Sequence, residues 1–271
     1  MSDEPDTPFD LAALAPTERP SDPTRTPAAK VELPKRFYTD VATAEGPEGF
    51  ELRLDGKPVR TPARHLLAVP TPGLAAVLEA EWAAQGDRID PATMPLTRLT
   101  NAAVDGVAGE IEAVRADVVA FAGSDLLCYR PDGPEGLVAR TNALWNPVIA
   151  WAERDLGARL VLAEGLMPVT QDPSAMAAIA AAVPTDPPLL VAATHVLTTL
   201  TGSALLALAI VRGAFDFETA WASANADEDW NWSLWGADAE AITRRVAREA
   251  DARAAALVVA ELTGRGDAAA A

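Results

Sequence analysis

The sequence predicts an α+β protein, a small strand-rich N-terminal domain followed by an all-helical C-terminal domain. Three observations carry this: alternating apolar residues between Arg36 and Val69, apolar spacings of three and four residues in nearly every segment after Pro131, and a change of composition at Asp132-Gly133-Pro134. The boundaries expected are a Pro-rich acidic disordered tail over 1–30, the α+β domain over 31–132, the helical domain over 133–264 and a short disordered tail over 265–271. With 271 residues, 49% of them hydrophobic, the chain can bury a substantial core.

The elements follow in order. FYTDVATAE, GFELRLDGKPVRTP and HLLAVP read as strands, separated by turns at Gly46-Pro47, Asp55-Gly56 and Thr61-Pro62. Asp55-Gly56 is the firmest hairpin signal, because both central residues of a type I′ turn need positive φ. Thr71-Pro72 opens a helix whose Leu74, Val77, Leu78 and Trp82 share a face and which Gly86 closes. A second helix starts near Met94, and Glu110–Ala122 places Ile111, Val114, Val118 and Phe121 on one side. Thr141–Leu156, Ser174–Val183, Leu189–Gly213 as a buried pair or one long helix, Thr219–Trp235 and Asp238–Leu262 complete a helical bundle, with a short extended piece within 157–169.

Several function classes fall away. A formal charge of −17 opposes binding to nucleic acid or anionic membrane, which needs clustered Lys and Arg. The most apolar stretch, Leu189–Val211, is interrupted by His195, by threonines and by Gly202-Ser203, so no stable membrane insertion is expected. The N-terminal 30 residues lack the apolar core of a secretory signal and the Arg-rich, acid-poor pattern of a presequence, which points to a cytoplasmic protein. Cys128, the single cysteine, lies in the apolar run LLCY and reads as core, in keeping with a reducing compartment. No GxGxxG, GxxxxGK[ST], CxxC or HExxH is present, so no cofactor or metal is expected. His65 and His195 read as satisfied core residues; a triad of His195 with Ser203 lacks a GxSxG elbow.

The most informative stretch is DEDWNWSLWGADAE, Asp227 to Glu240, three tryptophans in an acidic run. On a helix Glu228 shares a face with Trp232, Trp235 and, a turn earlier, Trp221, while Trp230 pairs with Leu234 on the opposite side. Asp227, Glu228 and Asp229 are contiguous and fan around the helix, so they cannot all ligate one ion. Such a helix is apolar on two sides: one can enter the chain's own core, and the other suits a protein partner, with Glu228 accepting hydrogen bonds and Trp232 or Trp235 supplying buried area. A doubly buried helix is the plainer alternative.

Eight motifs carry a resemblance. KRFY (35–38), LDGKPVRTPA (54–63), EWAAQ (81–85), MPLTRLTNAAVD (94–105), SDLLCYR (124–130), LWNPVIAW (144–151), GSALLALA (202–209) and DEDWNWSLWGADAEA (227–241) occur in this order. Together they closely resemble the family of assembly chaperones for the F1 sector of ATP synthase that handle the alpha subunit. Asn231, Asn142 and Asn146 depart from the residues common there. The resemblance implies a chaperone and not an enzyme: a monomer of the bacterial cytoplasm that binds unassembled F1 alpha subunit and shields its beta-contacting surface until the hexamer forms. It places the family's acidic position at Glu228, with Trp235, Gly236, Asp238 and Glu240 completing the signature. The partner-binding set expected is Asp227, Glu228, Trp232, Trp235, Asp238 and Glu240. The rival readings are a hydrolase using an interdomain cleft and a scaffold that holds another basic protein by charge.

Overall fold

In a computed structural model the described residues are 32–164 and 169–265, and they fall into two compact units divided at 101/102. The expected tail over 1–30 lies outside the described residues. Of the other expected tail only Arg265 is described. It is anchored rather than loose, its guanidinium donating to the carbonyls of Ile210 (3.2 Å) and Val211.

The first unit holds an antiparallel sheet in which β1 (Val41–Gly46) pairs with β2 (Gly49–Leu54), and β2 pairs on its other side with β3 (Lys57–Pro58) and β4 (Ala68–Val69). The β2–β3 turn is of the expected kind: Asp55 has φ 48° and Gly56 φ 77°. Asp55 also accepts from the backbone N–H groups of Thr39 (3.0 Å) and Asp40 (2.8 Å), and these bonds hold its carboxyl below the usual range. α1 (Pro72–Ala83) begins at an N-cap Thr71 whose hydroxyl accepts from Leu74 N–H at 3.2 Å, and it buries Leu74 and Leu78 against the sheet. It ends before Gly86, at Ala84.

Two of the sequence motifs meet in one staple. Glu81 in α1 accepts from the N–H groups of Leu96 (2.7 Å) and Thr97 (2.8 Å) and from the Thr97 hydroxyl (2.7 Å), capping α2 (Pro95–Asp105) from outside. Trp82 Nε1 donates to the same Thr97 hydroxyl, and Gln85 donates to Thr93 and accepts from Asp90 N–H. Burial raises the Glu81 carboxyl above its ordinary value despite these donors.

The second unit is helical. α3 (Ile111–Ala122), α6 (Pro188–Thr201), α7 (Ala204–Val211) and the long α10 (Ala239–Leu262) pack together, with every residue of α7 buried. α4 (Glu135–Trp151) starts a turn and a half earlier than its apolar spacing suggests, behind Pro134, and runs on through a wide turn to Leu156 and Gly157. α5 (Pro173–Ala182) caps on Asp172, and a two-residue parallel bridge joins β5 (Tyr129–Arg130) to β6 (Ala163–Glu164) inside the segment expected to be extended.

The division at 101/102 differs from the sequence boundary at 132/133 because α3 belongs with the helices that follow it. Its Val118 and Ala122 are buried, it packs on α5, α6 and α7, and Arg115 reaches the carbonyl of Ala180 on α5. Behind α3, Asp125 is fully buried and accepts from Leu127 N–H (3.0 Å) and Leu205 N–H (3.1 Å). Periodicity locates an apolar face but not the surface it packs on. Cys128 is core as expected, and burial pushes its thiol up to about 12.

Candidate functional site

The expected helix Thr219–Trp235 is two helices, α8 (Phe217–Ala224) and α9 (Ala226–Trp235). Asn225 separates them at φ −109°, ψ 17°, its side chain bonding back to Trp221 O at 2.8 Å. A short amide that competes for backbone groups can stop a helix without disturbing apolar spacing. Trp221 therefore stays in the core, stacked on Phe217 at 5.8 Å, and does not share a surface with Glu228.

α9 is seated by one ring and one ion cluster. Trp230 lies over Gly136 of α4, so close that a Cβ there would sit 2.9 Å from Cζ3 of the ring and nearer still to Cη2. Asp229 accepts from Arg140 of α4 at 3.0 Å and from Arg245 of α10. Arg245 also lies 3.5 Å from Glu228 Oε2 and 4.8 Å above the Trp232 ring. Asp227, Glu228 and Asp229 occupy the first turn of α9, where the helix dipole favours negative charge. Among them partial desolvation holds the Asp227 carboxyl above its ordinary value.

Beyond this cluster the surface turns apolar. Gly236, at φ 77° and ψ 170°, ends α9 in a conformation that only glycine adopts easily. Asp238 then caps α10, accepting from the N–H groups of Glu240 (2.8 Å) and Ala241 (2.9 Å). Trp235 is 84% exposed and Leu234 54%; on α10, Ile242 and Val246, one turn apart, are 45% and 62% exposed. Four of the seven large exposed hydrophobic residues described in the chain thus gather at the end of α9 and the start of α10, where no α10 residue is buried before Ala252. So large an exposed apolar group at one corner suits a protein contact.

The model of the ATP12 chaperone protein family matches residues 35–153. A candidate chaperone of Agrobacterium tumefaciens is 49% identical, with a TM-score of 0.80 over 85% of this chain and 87% of that one. Atp12 of Paracoccus denitrificans and a point mutant of that same protein are each 38% identical, with TM-scores of 0.75 over 83% of this chain and 97% of theirs. The chain belongs to the ATP12 chaperone family. This is the family its eight motifs resemble, and the expected role of an ATP synthase assembly chaperone stands with it.

For this ATP12-family chain the six expected partner residues are distributed unevenly. Asp227 is exposed in the first turn of α9, Glu228 and Trp232 are drawn together under Arg245, Trp235 projects into solvent, Asp238 serves as a helix cap, and Glu240 pairs with Arg244 at 2.7 Å. Ile242 and Val246 are absent from the expected set, although an apolar pair spaced by four among charged residues is visible in AITRRVARE. Arg140 and Arg245 carry no signal beyond their charge. Neither histidine is a core residue: His65 is exposed, and His195 is part-exposed and pairs with Asp117 at 2.7 Å. Ser203 is fully buried, with its hydroxyl accepting from Leu206 N–H to cap α7, which is no position for a nucleophile. Among the described residues no cluster of His, Cys, Asp and Glu could hold a metal, and no helix is long and apolar enough to cross a membrane.

Proposed function

We propose that this chain binds unassembled F1 alpha subunit at the α9–α10 corner and masks the alpha surface that later meets the beta subunit. The observation that carries this is the exposure of Trp235 and Leu234 at the end of α9 and of Ile242 and Val246 at the start of α10, with Asp227 and Glu228 in the first turn of α9. Exposed aromatic and aliphatic anchors on an element that also carries carboxylates are the composition of a protein contact with an energetic centre and polar surroundings. In this reading Asp238 and Glu240 hold the start of α10, and Trp232 under Arg245 fixes the direction of α9. The chain acts as a monomeric chaperone of the bacterial cytoplasm, without catalysis, cofactor or metal. Binding of an isolated subunit lowers the concentration of its self-associating form by mass action.

The experiment is capture of the host's F1 alpha and beta subunits by the tagged full-length chain at low and high salt. Capture of alpha without beta that persists at high salt is expected, since an apolar contact is little screened. Loss of capture at high salt supports a charge-held scaffold instead.

A further inference from the structure

A second surface, in the N-terminal unit, is built to receive backbone. β1 pairs with β2 alone among the described strands and so forms an edge of the sheet. The Thr43 N–H turns away from β2 and donates to Glu79 Oε2 at 3.0 Å, with the Thr43 hydroxyl on the same oxygen at 3.2 Å. Because N–H directions alternate along an antiparallel strand, those of Val41 and Glu45 also point outward. Beside this edge runs a groove of about 410 Å³, with Thr43, Glu45 and Phe50 on the sheet wall and Ala76, Glu79 and Ala80 on the α1 wall. The alanines keep the helix wall low. Two carboxylates and no Lys or Arg line the groove, and among the described residues neither Glu45 nor Glu79 has an ion-pair partner.

We propose that this edge and groove take up an extended, basic segment of a client protein as an added strand. The segment's backbone pairs with the outward N–H and C=O groups of Val41, Thr43 and Glu45. Its groove-facing Lys or Arg side chains lie along Ala76 and Ala80 to reach Glu79 and Glu45. Strand addition of this kind draws affinity from main-chain bonds and selectivity from alternate side chains. Glu79 guards the edge while it is empty, and on binding it exchanges the Thr43 amide for the incoming cation. A segment of about six residues matches the length of β1. The inference rests on the chaperone reading for the nature of the client, but it concerns a different surface from the α9–α10 corner.

The test uses the full chain and a short capped peptide alternating Lys with Val and Thr, with a Glu-for-Lys peptide as control. Titration followed by amide NMR is expected to shift Val41, Thr43 and Glu45 with the basic peptide only. Glu45→Pro removes an outward N–H without breaking the ladder to β2 and is expected to weaken binding at least about tenfold. Glu45→Lys leaves the backbone intact, decides the question should the proline variant not fold, and is expected to weaken binding about fivefold. No binding, binding that leaves the edge amides unmoved, or binding that both variants retain overturns the inference. Capture of the alpha subunit by the same proteins is scored separately, so loss of the corner reading and loss of the edge reading are told apart.

Discussion

Gly136→Ala is expected to destabilise the chain, against the ordinary preference of a helix for alanine. Gly136 lies in the first turn of α4 at a negative φ, so alanine alone would add up to about 1 kcal/mol of stability. The added Cβ, however, would meet the end of the Trp230 ring at 2.9 Å or less. Tryptophan is stiff and this ring seats α9, so overpacking of about 1–3 kcal/mol outweighs the propensity gain and leaves a net loss of up to about 2 kcal/mol. At roughly 3 °C per kcal/mol for a domain of this size, the melting temperature falls by a few degrees. Urea unfolding with hydrogen exchange of the α9 amides reads both the loss and its location. In a Trp230→Leu background the clash is gone, and the same Gly136→Ala change is expected to become neutral or stabilising. Stabilisation of about 1 kcal/mol in the wild-type background would refute the seating of α9 on α4.

Other outcomes follow from the same contacts. Arg245→Ala leaves Asp229 and Glu228 short of a cation and uncovers Trp232, for an expected loss of about 1–3 kcal/mol in chemical denaturation, of which Arg245→Lys recovers only part. Burial raises the Asp125 carboxyl to about 6 in the folded chain, above its unfolded value of 3.8. The folded state therefore holds this proton more tightly, and the stability so gained is full below pH 3.8 and is lost as pH rises through about 6. The advantage of wild type over Asp125→Ala, measured by denaturation across roughly pH 4–8, is expected to shrink with rising pH by roughly 2–3 kcal/mol. An advantage that grows with pH would contradict this.

Local signals are legible in the sequence where the chain's own stereochemistry decides the outcome. Asp55-Gly56 needs positive φ at two successive residues, and Thr71-Pro72 supplies a cap and a fixed φ, so the hairpin and the start of α1 stand where the sequence predicts them. The motifs EWAAQ and MPLTRLTN mark a staple whose bonds cannot be read from spacing, because Glu81 reaches Leu96 and Thr97 across a turn of chain. The break at Asn225 is invisible to periodicity because α8 and α9 keep compatible apolar spacing on either side of it. The association of α3 with the later helices depends on partners distant in sequence, Leu205 for Asp125 and Ala180 for Arg115. At the site, Trp235 and Glu228 can be singled out from composition, but Arg245 cannot: only the fold brings it onto Glu228, Asp229 and Trp232 at once.

The most direct test of the corner is capture of F1 alpha subunit by wild type and by Trp235→Ser in parallel, with unfolding measured on both. Trp235 is 84% exposed, so the substitution is expected to change stability by no more than about 0.5 kcal/mol while capture falls sharply. Undiminished capture by a Trp235→Ser chain of wild-type stability would contradict the account and move the alpha-binding surface elsewhere on the molecule.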